Sequence, residues 1–197
     1  MCRGSSRVSI CEQKTEGLNA SGLPYDNAVP RATSDGIGRK GNDMAEFFDP
    51  MGDLLAEQAQ VDVLVQDFSE EDWNKMASYC TTWKLKDVIA HIAFFDYCAA
   101  ELLNGRGESV NAVADAFSDQ DEHFHVLKCQ DMTGAEILSW WREQRTIMNE
   151  AFIAGGPKSR VPWAAGIPPM SNRSLASARL MELWAHSVDI YDALGIE

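Results

Sequence analysis

The sequence lacks the motifs that several common enzyme classes need. It contains no Walker-type G-x-x-x-x-G-K-[ST] loop and no G-x-S-x-G stretch. The first pattern forms the loop that surrounds nucleotide phosphates, and the second forms the turn that exposes a catalytic serine. A P-loop nucleotide-binding protein and a serine hydrolase of this type therefore have no support.

The chain also lacks paired cysteines and long apolar stretches. Its five cysteines are scattered, with no C-x-x-C pair, which favours reduced thiols over a disulfide framework or a cysteine-ligated zinc. No apolar run reaches the roughly 18 residues that a membrane span requires. The N-terminus has no apolar core of the signal-peptide type. These absences predict a cytoplasmic protein without a membrane partner.

Positive charge is scarce. The 17 Lys and Arg residues face 30 Asp and Glu residues, which gives a formal net charge of −13 at pH 7. Such an acidic chain repels phosphate backbones, so nucleic acid is not an expected partner.

Residues 1–43 differ in composition from the remainder. They hold six of the fourteen glycines and a single aromatic residue, Tyr25, and they show no helical period. A segment of this kind cannot bury enough apolar surface to offset the entropy of ordering. We therefore predict a disordered tail over 1–43 and one folded domain over 44–197.

Helical periodicity dominates from about residue 50. Apolar residues recur at three, four and seven positions, and no segment alternates as a strand does. Ser69 with Asp72, and Thr133 with Glu136, predict capped helix starts. The predicted long helices cover 51–68, 84–104, 133–155 and 173–194, with a short helix after Ser69, a partly helical 110–127 and a proline-rich loop over 156–172. This pattern predicts an all-α four-helix bundle.

The chain has only four histidines, which narrows the search for a site. Glu182 and His186 lie one helical turn apart on one face, where an imidazole and a carboxylate can bind one divalent ion. His91, among apolar residues of another helix, is the natural third ligand. Asp189, three residues after His186, can hold the second ring nitrogen. Without a metal, the same residues would be a surface pair and a core histidine.

Other residues are weaker candidates for a functional role. His123 and His125 point in different directions on a helix, so they are a poor metal pair. Trp140, Trp141 and Trp184 are expected in the core. The loop over 161–170 is expected either to form one wall of a pocket or to rigidify the connection.

Three stretches resemble a known family: TTWKLKDVIAHIAFFD (81–96), ILSWWREQR (137–145) and VPWAAGIPPMSNRSLASARLMELWAHSVDIYDALG (161–195). They are similar to the metal-binding domain of mycothiol-dependent maleylpyruvate isomerases, in particular to an actinobacterial branch. The wider group is the DinB-like and YfiT-like four-helix bundles. The resemblance covers roughly residues 50–195.

This resemblance implies a divalent ion, usually Zn²⁺, held by His91, Glu182 and His186. Three protein ligands leave a coordination position open, as in catalytic zinc sites. The family places a low-molecular-weight thiol such as mycothiol there, which acts on a small electrophile. The resemblance therefore implies a thiol-dependent isomerase or S-transferase.

The chain departs from the family pattern in two places. The turn before the His91 helix has Thr82-Trp83-Lys84 where relatives commonly have Gly-Trp-Thr, so the capping threonine is lost or moves to Thr82. Relatives usually continue into a smaller C-terminal domain, and this chain stops at Glu197. We therefore expect either a bare bundle or a truncated family member.

Two alternatives stay open. One is a non-catalytic metal-binding bundle with a stress or regulatory role, with a homodimer as one of its forms. The other is a metal-dependent hydrolase, for which only Asp189, Asp96 or His125 offers a general base.

The composition of the tail leads to a first prediction. A protein that begins at Met44 should melt at the same temperature as the full chain, because residues 1–43 contribute no core. Thermal unfolding of the two proteins, followed by circular dichroism, tests this. A drop of several degrees in the shorter protein would show that the tail packs on the bundle.

Overall fold

The computed structural model describes residues 50–80, 82–116, 126, 128–163 and 168–196, and this part of the chain is built mainly from helices. The helices are α1 Met51–Val65, α2 Glu70–Trp73, α3 Leu85–Leu103, α4 Gly107–Ala116, α5 Gly134–Gly155 and α6 Asn172–Leu194. Four of them are long. The expected all-α, DinB-like bundle is confirmed.

The four long helices pack around one apolar core. Helix α3 makes its most extensive contacts with α5, α1 packs along α6, and α3 also contacts α6. The largest fully buried side chains come from all four long helices and from α2: Trp73, Trp141, Phe152, Met51, Leu54, Leu85, Ile89, Ile92, Ile137, Met148, Leu175 and Leu183. Helix α3 is therefore held between α5 and α6.

Local capping chemistry sets where several helices begin. Both predicted capping boxes form: Ser69 with Asp72 at α2, and Thr133 with Glu136 at α5. At α3 the N-cap is Lys84, not Thr82, and the Lys84 backbone N–H donates to Asp87 Oδ2 at 2.8 Å. The Asp87 carboxylate therefore satisfies the backbone N–H of the N-cap residue, at a helix start that has no threonine cap.

The predicted loop over 156–172 contains a short antiparallel ladder. Strand β1, Arg160–Val161, pairs with strand β2, Met170–Ser171. We predicted no strand in this region, because a two-residue strand is too short to show alternation. The Ser171 hydroxyl then accepts from the Ser174 N–H and caps α6 at its start.

Some predictions fall outside the described residues. These are the tail over 1–43, residues 117–125 and 127 of the partly helical segment, and with them the pair His123 and His125. Residues 110–116 of that segment belong to α4.

The predicted burial of the tryptophans is correct for Trp141 and wrong for Trp184. Trp141 is fully buried and Trp140 is half-buried, whereas Trp184 is 60% exposed. Trp184 lies on the outer face of α6, because Leu183 and Ser187 occupy its inner face.

A buried polar group joins three of the long helices. Arg179 Nε on α6 donates to Asp96 Oδ1 on α3 at 2.9 Å, and the Trp141 indole N–H on α5 donates to Asp96 Oδ2 at 3.0 Å. Arg179 Nη2 also donates to the Ile92 carbonyl oxygen at 3.3 Å. The Arg179 and Asp96 side chains are only 2% and 3% exposed. This pairing fixes α3 against α6.

Among the helices of the described ranges, none has both the length and the apolar character of a bilayer-crossing segment.

The buried pair leads to a second prediction. Arg179→Met should lower the free energy of unfolding by about 3–5 kcal/mol, because it leaves the Asp96 carboxyl buried without its cation. Urea unfolding measures this change. Lys75→Met is the control, because it removes an exposed partner of Asp72 and should leave the unfolding midpoint nearly unchanged. Equal losses in both variants would contradict the special role of the buried pair.

Candidate metal centre

Three predicted ligands from two helices meet at one point. His91 comes from α3, and Glu182 and His186 come from α6, one turn apart. Glu182 Oε2 lies 3.5 Å from His91 Nε2 and 3.8 Å from His186 Nε2. One donor atom from each residue lies within 4.8 Å of the other two. The structure thus brings the three side chains together, and metal binding itself stays a prediction.

The environment fixes the charge of these groups. Burial lowers the pKa of the His91 imidazole to about 4, so the ring is neutral at pH 7. The hydrogen bond with His91 holds the pKa of the Glu182 carboxyl below its usual value, so that group is anionic. A neutral imidazole and an anionic carboxylate are the protonation states in which these residues ligate a metal.

Asp189 holds the other side of the His186 ring. Its Oδ2 lies 3.0 Å from His186 Nδ1, and its Oδ1 accepts from the Tyr79 backbone N–H at 2.9 Å. Burial acts to raise the pKa of Asp189, but the hydrogen bonds from His186 and Tyr79 outweigh it and the pKa is lowered. The anionic carboxylate favours a proton on Nδ1. The unprotonated Nε2, whose lone pair can bind a metal ion, then lies on the side of Glu182.

Aromatic rings surround the two imidazoles. The Trp83 ring centroid lies 5.1 Å from that of His91 and 6.0 Å from that of His186. Phe95 lies 4.9 Å from His91 and 6.4 Å from Trp163. Trp163 belongs to the loop that we expected to form either a pocket wall or a rigid connection. This contact places Trp163, near the start of that loop, beside Phe95 on the aromatic side of the site.

Sequence analysis missed three residues around the site: Arg179, Cys80 and Trp83. The Arg179 guanidinium lies 5.9 Å from the Phe95 ring centroid. The available signal for Arg179 was a cation flanked by apolar residues of α6, one turn before Glu182. Cys80 and Trp83 lie in the segment between α2 and α3, where helical periodicity carries no information.

Two of the three general bases considered for a hydrolase, Asp96 and Asp189, are already engaged by other groups. Asp96 is buried and bonded to Arg179 and Trp141, and Asp189 is engaged by His186 and Tyr79. His125 lies outside the described residues.

These features define a class of protein: an all-α bundle that presents two imidazoles and a carboxylate from two helices at one point. Comparison of the sequence with known families agrees. The sequence model described as "Mycothiol maleylpyruvate isomerase N-terminal domain" matches residues 54–191. The chain therefore belongs to the mycothiol maleylpyruvate isomerase N-terminal domain family.

Curated relatives occur in Mycobacterium tuberculosis. An uncharacterised protein from strain CDC 1551 and another from strain H37Rv are each 31% identical to this chain over 152 residues. The aligned region covers 74% of this chain and 56% of each relative, so the chain spans little more than half of the relatives' length. No solved structure matches the chain significantly.

The burial of His91 leads to a third prediction. The unfolded chain takes up a proton near the ordinary pKa of 6.5, whereas folded His91 does so only at about 4. The metal-free protein should therefore lose about 2 kcal/mol of stability between about pH 7 and about pH 5. The test is urea unfolding at both pH values in the presence of a chelator.

His91→Gln is the variant that isolates this effect, because glutamine does not titrate. The lowered pKa of Glu182 also removes stability as the pH falls, but at a lower pH than His91 does. An unchanged pH dependence in His91→Gln would contradict the assignment to His91.

Proposed function

We propose that this chain is a metal-dependent enzyme that uses a low-molecular-weight thiol of the mycothiol type. Its reaction is the isomerisation of a small electrophile or the transfer of the thiol to it. The observation that supports the proposal best is the meeting of His91, Glu182 and His186 at one point, in a chain of this family.

The donor atoms fit a divalent ion, with Zn²⁺ as the first choice. Zinc bonds to nitrogen and oxygen of about 2.0–2.2 Å in a tetrahedron separate neighbouring ligand atoms by about 3.4 Å. Glu182 Oε2 lies 3.5 Å and 3.8 Å from the two imidazole nitrogens. Two imidazoles and one carboxylate leave one position of four for a thiol or water, which is the ligand count of a catalytic site.

An ion held by these residues would supply Lewis-acid chemistry, which lowers the pKa of a thiol and so provides the nucleophilic thiolate at neutral pH. The residues of the chain position the ligands of this ion. Asp189 orients the His186 ring through Nδ1. Trp83 and Phe95 pack against the imidazole of His91 and limit its movement.

The non-catalytic alternative has less support. A structural zinc site is normally closed by four protein ligands, whereas the described part of the chain offers three at this point. The bundle also has an extensive apolar core of its own, so it has no need of a metal to fold. The chain spans 56% of each curated relative, and the substrate is therefore proposed only as a class.

We place the activity in the cytoplasm, where low-molecular-weight thiols are kept reduced. The three cysteines within the described residues, Cys80, Cys98 and Cys129, are present as thiols, which agrees with that compartment.

The proposed function leads to a fourth prediction. Glu182→Gln should weaken zinc binding by at least about tenfold, since even partners outside the ligand set contribute 10–100-fold. The metal-free variant should stay folded and melt at or slightly below the temperature of the metal-free parent, because glutamine is a good helix former but does not replace the charge of the carboxylate beside His91. Elemental analysis after dialysis, zinc titration and calorimetry with mycothiol measure these effects.

Glu150→Gln, an exposed change on α5, is the matched control and should bind zinc and thiol as the parent does. A chelated parent that unfolds cooperatively and rebinds zinc supports an exchangeable, working site. A chelated parent that has lost its fold would show that the metal is structural.

A further inference from the structure

A second group of donor atoms lies beside His186, away from Glu182. Cys80, Asp189 and His186 each offer a donor atom within 4.8 Å of the other two. Asp189 Oδ2 is 3.7 Å from Cys80 Sγ and 3.0 Å from His186 Nδ1. Cys80 is not part of the group formed by His91, Glu182 and His186. Its thiol therefore lies next to the site already described, on the Nδ1 side of the shared His186 ring, and the proposed function gives it no role.

We propose that Cys80, Asp189 and His186 Nδ1 form a second metal site, selective for a thiophilic divalent ion such as Zn²⁺, Co²⁺ or Cd²⁺. In a tetrahedral zinc site, a sulfur and an oxygen ligand are about 3.6 Å apart and a nitrogen and an oxygen ligand about 3.4 Å apart. The observed 3.7 Å and 3.0 Å are near these separations. A soft sulfur ligand favours such ions over Mg²⁺ or Ca²⁺.

The carboxylate of the group is oriented before any ion binds. The Tyr79 backbone N–H holds Asp189 Oδ1 at 2.9 Å, so that Oδ2 faces both the thiol and the imidazole. Cys80 follows Tyr79 directly in the chain. Their segment is tied to the bundle, because Ala77 N donates to Trp83 O at 2.9 Å and Leu85 N donates to Lys75 O at 2.9 Å.

The thiol is also accessible. Cys80 is partly exposed, whereas Cys98 and Cys129 are 5% and 3% exposed. Among the described thiols, Cys80 is therefore the one that an ion from solution can reach. The remaining coordination position of a three-ligand group can be filled by water from this open side.

An ion bound at this group would replace the two hydrogen bonds that Cys80 and His186 Nδ1 make to Asp189. The Cys80 thiol would release its proton to solvent, and the imidazole proton of His186 would move from Nδ1 to Nε2. With ions at both sites, His186 would offer Nε2 to one and Nδ1 to the other, and its remaining imidazole proton would also be released to solvent. The second site goes beyond the proposed function, since it requires neither the small thiol nor its substrate.

The test is a Co²⁺ titration of the full chain, followed by the thiolate-to-cobalt charge-transfer absorption and by the number of ions bound. We expect two ions per chain and a charge-transfer band. In Cys80→Ser the band should be lost and one ion should remain. Cys98→Ser is the matched control, and the double variant Cys2→Ser, Cys11→Ser tests the two cysteines outside the described residues. Both controls should keep the band.

His91→Ala separates this proposal from the first. It should remove the ion without thiolate ligation and keep the charge-transfer band. The second site is overturned if the parent shows no band, if the band persists in Cys80→Ser, or if His91→Ala abolishes it. If the band behaves as expected but His91→Ala binds as many ions as the parent, the first site fails and the second stands. Far-UV circular dichroism of each variant checks that it is folded. Asp189→Asn, which removes the carboxylate ligand, should weaken the band.

Discussion

The buried ion pair between Arg179 and Asp96 sets the geometry on which the proposed site depends. It connects α6 to α3, and Arg179 also bonds the carbonyl of Ile92, the residue after His91. Buried pairs of this kind contribute little net stability compared with apolar residues of similar size, because desolvation offsets their attraction. The main effect of the pair is therefore to fix the register of α3 against α6. The pair determines which residue of α3 faces Glu182 and His186, and a slip by one residue would turn His91 away.

The imidazole of His186 connects two chemical environments. Its Nε2 faces Glu182 at 3.8 Å, and its Nδ1 faces Asp189 at 3.0 Å. Asp189 also joins the segment before α3 to α6, because it accepts the Tyr79 N–H. The orientation of a ligand on the last helix therefore depends on a loop more than 100 residues earlier in the chain. Mutations in that loop can change the site without touching His91, Glu182 or His186.

Local rules in the sequence predicted much of the fold and part of the site. Periodicity and capping boxes located the long helices, and the spacing of Glu182 and His186 placed them on one face. Because His91 lies on another helix, the sequence pattern could name it only as a candidate third ligand, and the family resemblance agreed with that choice. The Arg179–Asp96 pair joins residues 83 positions apart, so no local pattern announces it. Trp184 was misplaced because apolar residues occur on both faces of α6, and periodicity alone does not choose between them.

The charges around the site favour a cation over an anion before any ligand binds. Glu182 and Asp189 are held as carboxylates, while burial keeps His91 neutral. Arg179 would repel an incoming cation, but Asp96 at 2.9 Å offsets its charge. The whole chain adds a net charge of −13, which draws cations from solution and opposes anionic ligands. The negative charges of the chain would repel an anionic thiolate. Its binding therefore needs a local positive charge, and the three ligands facing one another provide the place where a divalent ion can supply it.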